Sequence, residues 1–374
     1  MAITDKKIPL CVLPFTQPFV KSDGTYRDCC ATAPKKTSKP TESFNDWWHG
    51  DTLNKFRTVL QESDELPPEC APCKIQEQIH GQSYRLIVNK EIDQLSAYHK
   101  HPGSWHIMFG NKCNLACWMC SEDFSSLIAQ HKKQIKILPD NFVDPNDEFL
   151  KKWPDLKENI LTSYNHHDVV KINILGGEPT YNKIVTDFLQ YLADCGLAKR
   201  TRIEITTNGT KLGKNLSKLF NSASWNYIAV FISVDAIGPR GEWLRYGSVW
   251  DEVRSNIDFY KDNVNYTELH TSLNILNLDT LPALSDFCKD NGLSHKIYTL
   301  STPWFMDIRA WNKDTNFINQ DDFTSRNLDG YIDLLGSAPV DNAYNELRDY
   351  INRFNSIRKP LSEFDKSLAT LLDL

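Results

Sequence analysis

The stretch that decides the reading is Cys113-Asn114-Leu115-Ala116-Cys117-Trp118-Met119-Cys120. Its C-x₃-C-x₂-C spacing lets a tight loop return three thiolates to one side, toward one small inorganic centre. A tetrahedral zinc site wants four ligands, and no fourth Cys or His lies in this run. Three thiolates therefore point to a [4Fe–4S] cluster with one iron left without a protein ligand. That open iron is where a bound cofactor would chelate. The plainer alternative is three buried cysteines packing as small hydrophobes.

Working outward, the pattern from Trp105 onward alternates strand and helix. Strand-like runs occur at Trp105–Phe109, Val169–Leu175, Arg202–Thr206, Tyr227–Val234, His270–Leu276 and His295–Leu300. Helix-like runs lie between them, for example Asn182–Cys195, Lys211–Asn221, Trp250–Asp262 and Leu281–Asn291. This is the signature of βαβ units and a parallel sheet, and six repeats imply an α/β fold, a partial (β/α)6 TIM-like barrel. Such barrels build their sites at the C-terminal ends of the strands.

Three short segments and two single residues are candidates at or near those ends. Gly176-Gly177-Glu178-Pro179 offers two glycines that let backbone approach a ligand closely, and Glu178 offers an anionic acceptor to a cationic group. In Thr206-Thr207-Asn208-Gly209, Asn208 can donate and accept, which suits a ribose hydroxyl; a helix-capping role for Thr207 or Asn208 fits as well. Ser233-Val234-Asp235-Ala236 ends the fourth barrel strand, and Asp235 either reaches the site or caps the following turn. Arg245 is either a bidentate partner for a carboxylate or half of a surface ion pair. Asn274 is a weaker candidate for the same pocket.

With the triplet, Trp118 before its last cysteine, and the Gly176–Pro179 turn one crossover later, the chain resembles the radical S-adenosylmethionine (SAM) family. The resemblance implies that Cys113, Cys117 and Cys120 hold the catalytic [4Fe–4S] cluster, with SAM bound by Gly176, Gly177, Glu178, Asn208, Ser233, Asp235 and Arg245. It also implies that SAM's amino and carboxylate groups chelate the open iron. One electron, from an external donor such as flavodoxin or ferredoxin, would then cleave the S–C5′ bond and give methionine and a 5′-deoxyadenosyl radical. That radical abstracts hydrogen from a substrate C–H bond. The substrate class expected from relatives is a peptide or protein, with a small-molecule or nucleotide-derived substrate as the alternative. A non-catalytic metal-binding interaction protein on a degenerate barrel would instead leave at least one of Glu178, Asn208 or Arg245 away from the open iron.

Residues 1–100 form a first unit. Leu10-Cys11-Val12-Leu13-Pro14-Phe15 reads as the start of an extended segment. Phe19 to Cys30 reads as a hairpin turning at Asp23-Gly24, a strong short-range hairpin signal. Residues 31–43, rich in Lys, Pro, Ser and Thr, read as a surface loop, and Phe44 to about Leu60 as helical. Pro67 to Cys73 is a rigid turn before another helix. Cys11, Cys29 (with Cys30 as its alternate), Cys70 and Cys73 could complete a second site. The pattern resembles the twitch domain, the shorter relative of SPASM, which implies an auxiliary [4Fe–4S] cluster for electron transfer or substrate binding. Here the unit precedes the barrel rather than following it, and a structural Zn(Cys)₄ site is allowed by the same spacing.

The barrel spans 101–303, with an insertion at 122–168 that reads as two helices, the second interrupted at Trp153-Pro154. This insertion is either a substrate-contacting lid or structural padding. Residues 304–374 form a helical C-terminal extension. Cys195 and Cys288 read as core residues, Tyr298 as a core residue or a hydrogen-atom relay, and the isolated histidines (His80, His106, His131, His166, His167) as surface or satisfied core.

Across 374 residues, 10 cysteines and a net charge of −6 give no broad basic field for nucleic acid. No run of about 18 apolar residues suits a membrane span, and Met1 to Lys7 lacks the apolar core of a signal peptide. Clustered thiols without a secretory signal favour metal binding over disulfides and a reducing, cytoplasmic setting.

Overall fold

The computed structural model describes residues 10–32, 38–39, 41–90, 101–222, 224–313 and 315–374. Met1 to Lys7, and part of the loop read over 31–43, lie outside them. Six parallel strands carry the barrel: β3 (Ser104–Met108), β4 (Val170–Leu175), β5 (Thr201–Thr207), β6 (Tyr227–Ser233), β7 (Tyr266–Leu273) and β8 (Ser294–Thr299). A hairpin of β1 (Phe19–Val20) and β2 (Tyr26–Arg27) joins this sheet, β1 running parallel to β3 with Phe19 opposite His106. The order is β2-β1-β3-β4-β5-β6-β7-β8. The sheet curls far enough that Tyr298 on β8 and Cys30, just past β2, are electrostatic neighbours.

Alternation explains the strands. Ile172 and Ile174, Ile203 and Ile205, and Ile228, Val230 and Ile232 are buried together against the helices, each contributing about 1.5–3 kcal/mol by leaving water. Their polar alternates lie on the other face of the sheet, where Lys171 and Glu204 pair at 2.8 Å. The Lys183–Asp194 helix buries Val185, Phe188, Leu189 and Leu192, the i, i+3, i+4, i+7 stripe of a helix that covers a sheet. A second apolar cluster joins Trp118 and Trp243 to Tyr344, Leu347, Ile351 and Phe354 of the C-terminal helix Ala343–Phe354.

Several expectations are corrected. The insertion's second helix is not interrupted: Pro145–Ser163 is one helix with Pro154 inside it. A proline there costs about 3 kcal/mol, but Trp153 packs within 5.2–5.9 Å of the rings of Phe109, Phe149 and Phe188, and that burial outweighs it. Leu13–Thr16 is a short helix rather than extended chain, with Pro14 in its first turn, where a missing N–H costs nothing. Cys195 is exposed, because its helix ends at Asp194 and leaves it as the C-cap. Tyr298 is 43% exposed and so not core, whereas Cys288 is buried. Strand β7 begins at Tyr266 and stops before Asn274, whose side chain bonds Ser272 O and Leu276 N and turns the chain away.

Among the histidines, the rings of His101 and His166 stack at 4.3 Å, and His167 Nε2 meets His101 O at 2.9 Å. The described side chains do not include His80. No helix among the described residues is long and apolar enough to cross a membrane.

His106 lies edge-on to Phe19. Burial, aided by Lys171, pushes its pKa down to about 4. The folded protein therefore keeps it neutral while the unfolded chain takes up a proton below about pH 6.5. Stability is complete above that value and falls between about 6.5 and 4. Relative to wild type, His106→Gln is expected to recover about 2 kcal/mol at pH 5 and nothing at pH 7.5, as read from urea midpoints at the two pH values.

Candidate active site

The cysteine loop leaves β3 and is gripped from five directions. First comes the Gly176–Gly177 turn after β4, where both glycines have positive φ, +89° and +53°. A Cβ on Gly176 would lie 2.7 Å from Met108 Cα and 2.8 Å from Gly110 O; one on Gly177 would lie 2.7 Å from Asn111 C and collide with Lys112 O. The glycines thus admit the backbone of the loop that carries Cys113. Glu178 N then donates to Lys112 O at 2.8 Å.

Second, the Thr207–Thr210 turn after β5 holds Asn114. Asn208 Nδ2 donates to Asn114 Oδ1 at 3.0 Å, and Asn114 Nδ2 donates to Thr210 Oγ1 at 2.8 Å. Third, the segment after the Gly238–Leu244 helix lies along the loop: Ala116 N donates to Tyr246 O and Trp118 N to Leu244 O. Fourth, Ser125 Oγ donates to Leu115 O, and Cys113 N donates to Ser126 Oγ. Fifth, the C-terminal helix closes over Trp118: Tyr350 Oη donates to Trp118 O at 3.2 Å, and Phe354 packs edge-on at 5.5 Å.

Glu178 bolts two of these turns together. Its Oε1 accepts from Thr180 N, Thr180 Oγ1 and Thr207 Oγ1, and its Oε2 accepts from Asn208 N at 2.6 Å. Burial pushes its carboxyl above the usual carboxylate range, against the pull of those four donors. Asn208 Oδ1 is likewise committed, accepting from Thr210 N and Oγ1.

Asp235 and Arg245 form a buried ion pair of 2.8 Å, with side-chain exposures of 0% and 14%. Arg245 is therefore no surface residue. Its Nη1 points at Cys117 Sγ, 3.9 Å away, and Asp235 Oδ1 also accepts from Ser272 N. Ser233 ends β6 opposite His270. Glu178 is an electrostatic neighbour of Cys113, Asn208 bonds Asn114, and Arg245 faces Cys117. All three thus sit on the cysteine loop.

The three thiols neighbour one another electrostatically. Burial first, then Cys117, pushes Cys113 up to about 12, and Cys117 and Cys120 are raised by burial as well. Crowded, desolvated thiols of this kind become thiolates when a cationic centre takes them as ligands, so the donor set fits an iron–sulfur cluster.

The N-terminal cysteines converge too. Cys11, Cys29, Cys70 and Cys73 line one small cavity with Leu13, Leu60 and Arg85. Cys30 lies alongside; its thiol donates to Cys29, which holds Cys29 below the usual thiol range while Cys30 is raised. Among the described residues no group of three or more His, Cys, Asp or Glu closes on a single metal ion. Residues that the sequence did not suggest are Asn114, Thr180, Thr207 as a Glu178 donor, Thr210, Tyr350 and Arg358. Asn114 lay in plain view inside the triplet, whereas Tyr350 is 232 positions from its partner Trp118.

Residues 107–288 match the family model of the Radical SAM superfamily. Over those residues the chain carries a radical SAM domain. No curated protein matches it in sequence. Among solved structures, Streptococcus suis SuiB bound to the precursor peptide SuiA is similar at 16% identity and a TM-score of 0.40, over 75% of this chain and 55% of that one. Native anSMEcpe with bound AdoMet is 19% identical with a TM-score of 0.38, over 65% of each chain. TYW1 with a lysine–pyruvate adduct is 13% identical with a TM-score of 0.31, over 58% of this chain and 69% of that one. The chain thus spans about half the length of SuiB.

Gly177→Ala is expected to push the cysteine loop off the Gly176–Glu178 turn. Reconstituted protein should then lose the roughly four irons that Cys113, Cys117 and Cys120 would hold, as measured by iron and sulfide quantitation. Unchanged iron content would mean that the loop tolerates the displacement.

Proposed function

We propose that the protein cleaves SAM reductively and uses the resulting 5′-deoxyadenosyl radical to abstract hydrogen from a substrate C–H bond. The observation that carries this reading is the convergence of Glu178, Asn208 and Arg245 on one thiol-bearing loop, each tied to it by a named contact. Cys113, Cys117 and Cys120 would hold the [4Fe–4S] cluster, which supplies, with SAM bound, the electron that breaks the S–C5′ bond. The chain's own task is position and exclusion of water. Gly176 and Gly177 seat the loop, and Glu178 locks the β4 and β5 turns. The Asp235–Arg245 pair keeps a guanidinium on Cys117, while Trp118, buried between the barrel and the C-terminal helix, closes the far side. Gly176, Gly177, Glu178, Asn208, Ser233, Asp235 and Arg245 together frame the SAM site.

The unit over 1–100 would carry an auxiliary [4Fe–4S] cluster on Cys11, Cys29, Cys70 and Cys73, beside the barrel of 101–303 and the extension of 304–374. The resemblance of this cysteine pattern to the twitch domain favours a cluster over the structural zinc site that the same spacing allows. Full thiolate ligation suits electron transfer better than substrate binding. Family resemblance supports a peptide or protein substrate, an electron donor such as flavodoxin or ferredoxin, and the reducing cytoplasm that oxygen-sensitive centres require.

Anaerobic reconstitution is expected to load about eight irons, falling to about four in a Cys113/Cys117/Cys120→Ala triple variant. Dithionite-reduced wild type should release 5′-deoxyadenosine from SAM, and the triple variant none. A fully loaded wild type that leaves SAM intact would overturn the proposal. Four irons falling to none, with zinc retained, would make the N-terminal site structural.

A further inference from the structure

Arg358 lies on the C-terminal extension, beyond the residues matched by the family model, yet it reaches the cysteine loop. It is 4% exposed. Its guanidinium carbon sits 4.3 Å from the Trp118 ring centroid, 4.2 Å from that of Phe354 and 5.1 Å from that of Tyr246. Its Nε meets His131 Nδ1 at 3.2 Å. His131 is kept neutral by burial and by Arg358 itself, at a pKa of about 4, so it accepts the bond without bringing charge. Nη1 and Nη2 have no hydrogen-bond partner among the described residues.

A buried cation without an anion is strongly disfavoured, and contact with aromatic faces offsets only part of that cost. The electrostatic neighbours of Arg358 are Tyr350, Cys117 and Tyr246, none of them a carboxylate. Burial lowers the guanidinium to about 10, which leaves it charged at neutral pH. Arg245, the other guanidinium at Cys117, is already neutralised by Asp235. Arg358 is thus a buried positive charge beside the loop with no carboxylate partner among the described residues.

We propose that Arg358 is a positioning residue that acts through Cys117, its buried charge favouring the thiolate-ligated centre and most of all its reduced, more negative state. The inference rests on the cluster assignment above. It ties the C-terminal extension to the redox poise of a site that the rest of the barrel builds. Removing the charge should make the centre harder to reduce, and Lys, which keeps the charge, should preserve most of the effect.

The test is an EPR-monitored redox titration of the reconstituted full-length protein, following the signal that added SAM perturbs, in wild type, Arg358→Met, Arg358→Gln and Arg358→Lys. Arg358→Met and Arg358→Gln are expected to keep wild-type iron content and show about a tenfold smaller reduced-to-oxidised ratio at a fixed potential, a shift of about 59 mV to more negative values. Arg358→Lys should stay near wild type. If Met and Gln lose the centre while Lys retains it, the charge is required for assembly and the proposal stands. Unshifted potentials in fully loaded Met and Gln variants would overturn it, as would loss of the centre in Lys along with the other two, which would make the role one of packing. Failure of wild type to bind iron at Cys113, Cys117 and Cys120 would instead refute the underlying assignment.

Discussion

The structure depends on one close approach: the backbone from Met108 to Lys112 passes the Gly176–Gly177 turn with no room for a Cβ on either residue. That contact fixes where the cysteine loop leaves the barrel, and the other restraints refine a position it has already set. The two turns facing the loop are in turn fixed by Glu178, whose buried carboxylate gathers four donors from the ends of β4 and β5. A buried anion is tolerable because every bond to it is charge-assisted. The site is therefore stiff before any ligand arrives, which is what positioning a reactive intermediate requires.

Much of the fold was legible because the barrel's apolar alternation is strong. Ile172/Ile174 and Ile203/Ile205 mark β4 and β5 to within a residue or two. The apolar pattern sets β7 at His270–Leu276, four residues late, because Thr267, Glu268 and His270 interleave polar groups with its buried positions and blur the period. Pro154 misled for a different reason: local propensity opposes a helix there, and only the aromatic cluster around Trp153, assembled from distant residues, overrides it.

The site was legible in residue type more than in role. The sequence places Gly176, Gly177, Glu178 and Asn208 at strand ends and Arg245 beyond the fourth, and implies that they reach outward to a ligand; Arg245 in fact caps the Gly238–Leu244 helix. In the structure, much of their bonding capacity is turned inward, on the loop and on one another. A one-dimensional pattern shows which groups cluster but not which lone pairs are already taken. The C-terminal contribution was invisible altogether. Nothing in the composition of residues 343–358 marks Tyr350, Phe354 and Arg358 as neighbours of a thiol loop more than 200 positions earlier.

The β1–β2 hairpin has a role apart from any chemistry in its unit. Phe19 and Val20 pair with His106 and Ile107, so β3, the first strand of the barrel, is not the margin of its sheet. Bare β3 would present a row of free amides and carbonyls beside buried Trp105 and Ile107, a template on which other chains could pair and aggregate. The short hairpin occupies that margin instead, and its own outer strand, β2, is two residues long. A shortened chain beginning near Trp105 would keep every group named at the centre of the barrel and still be prone to self-association.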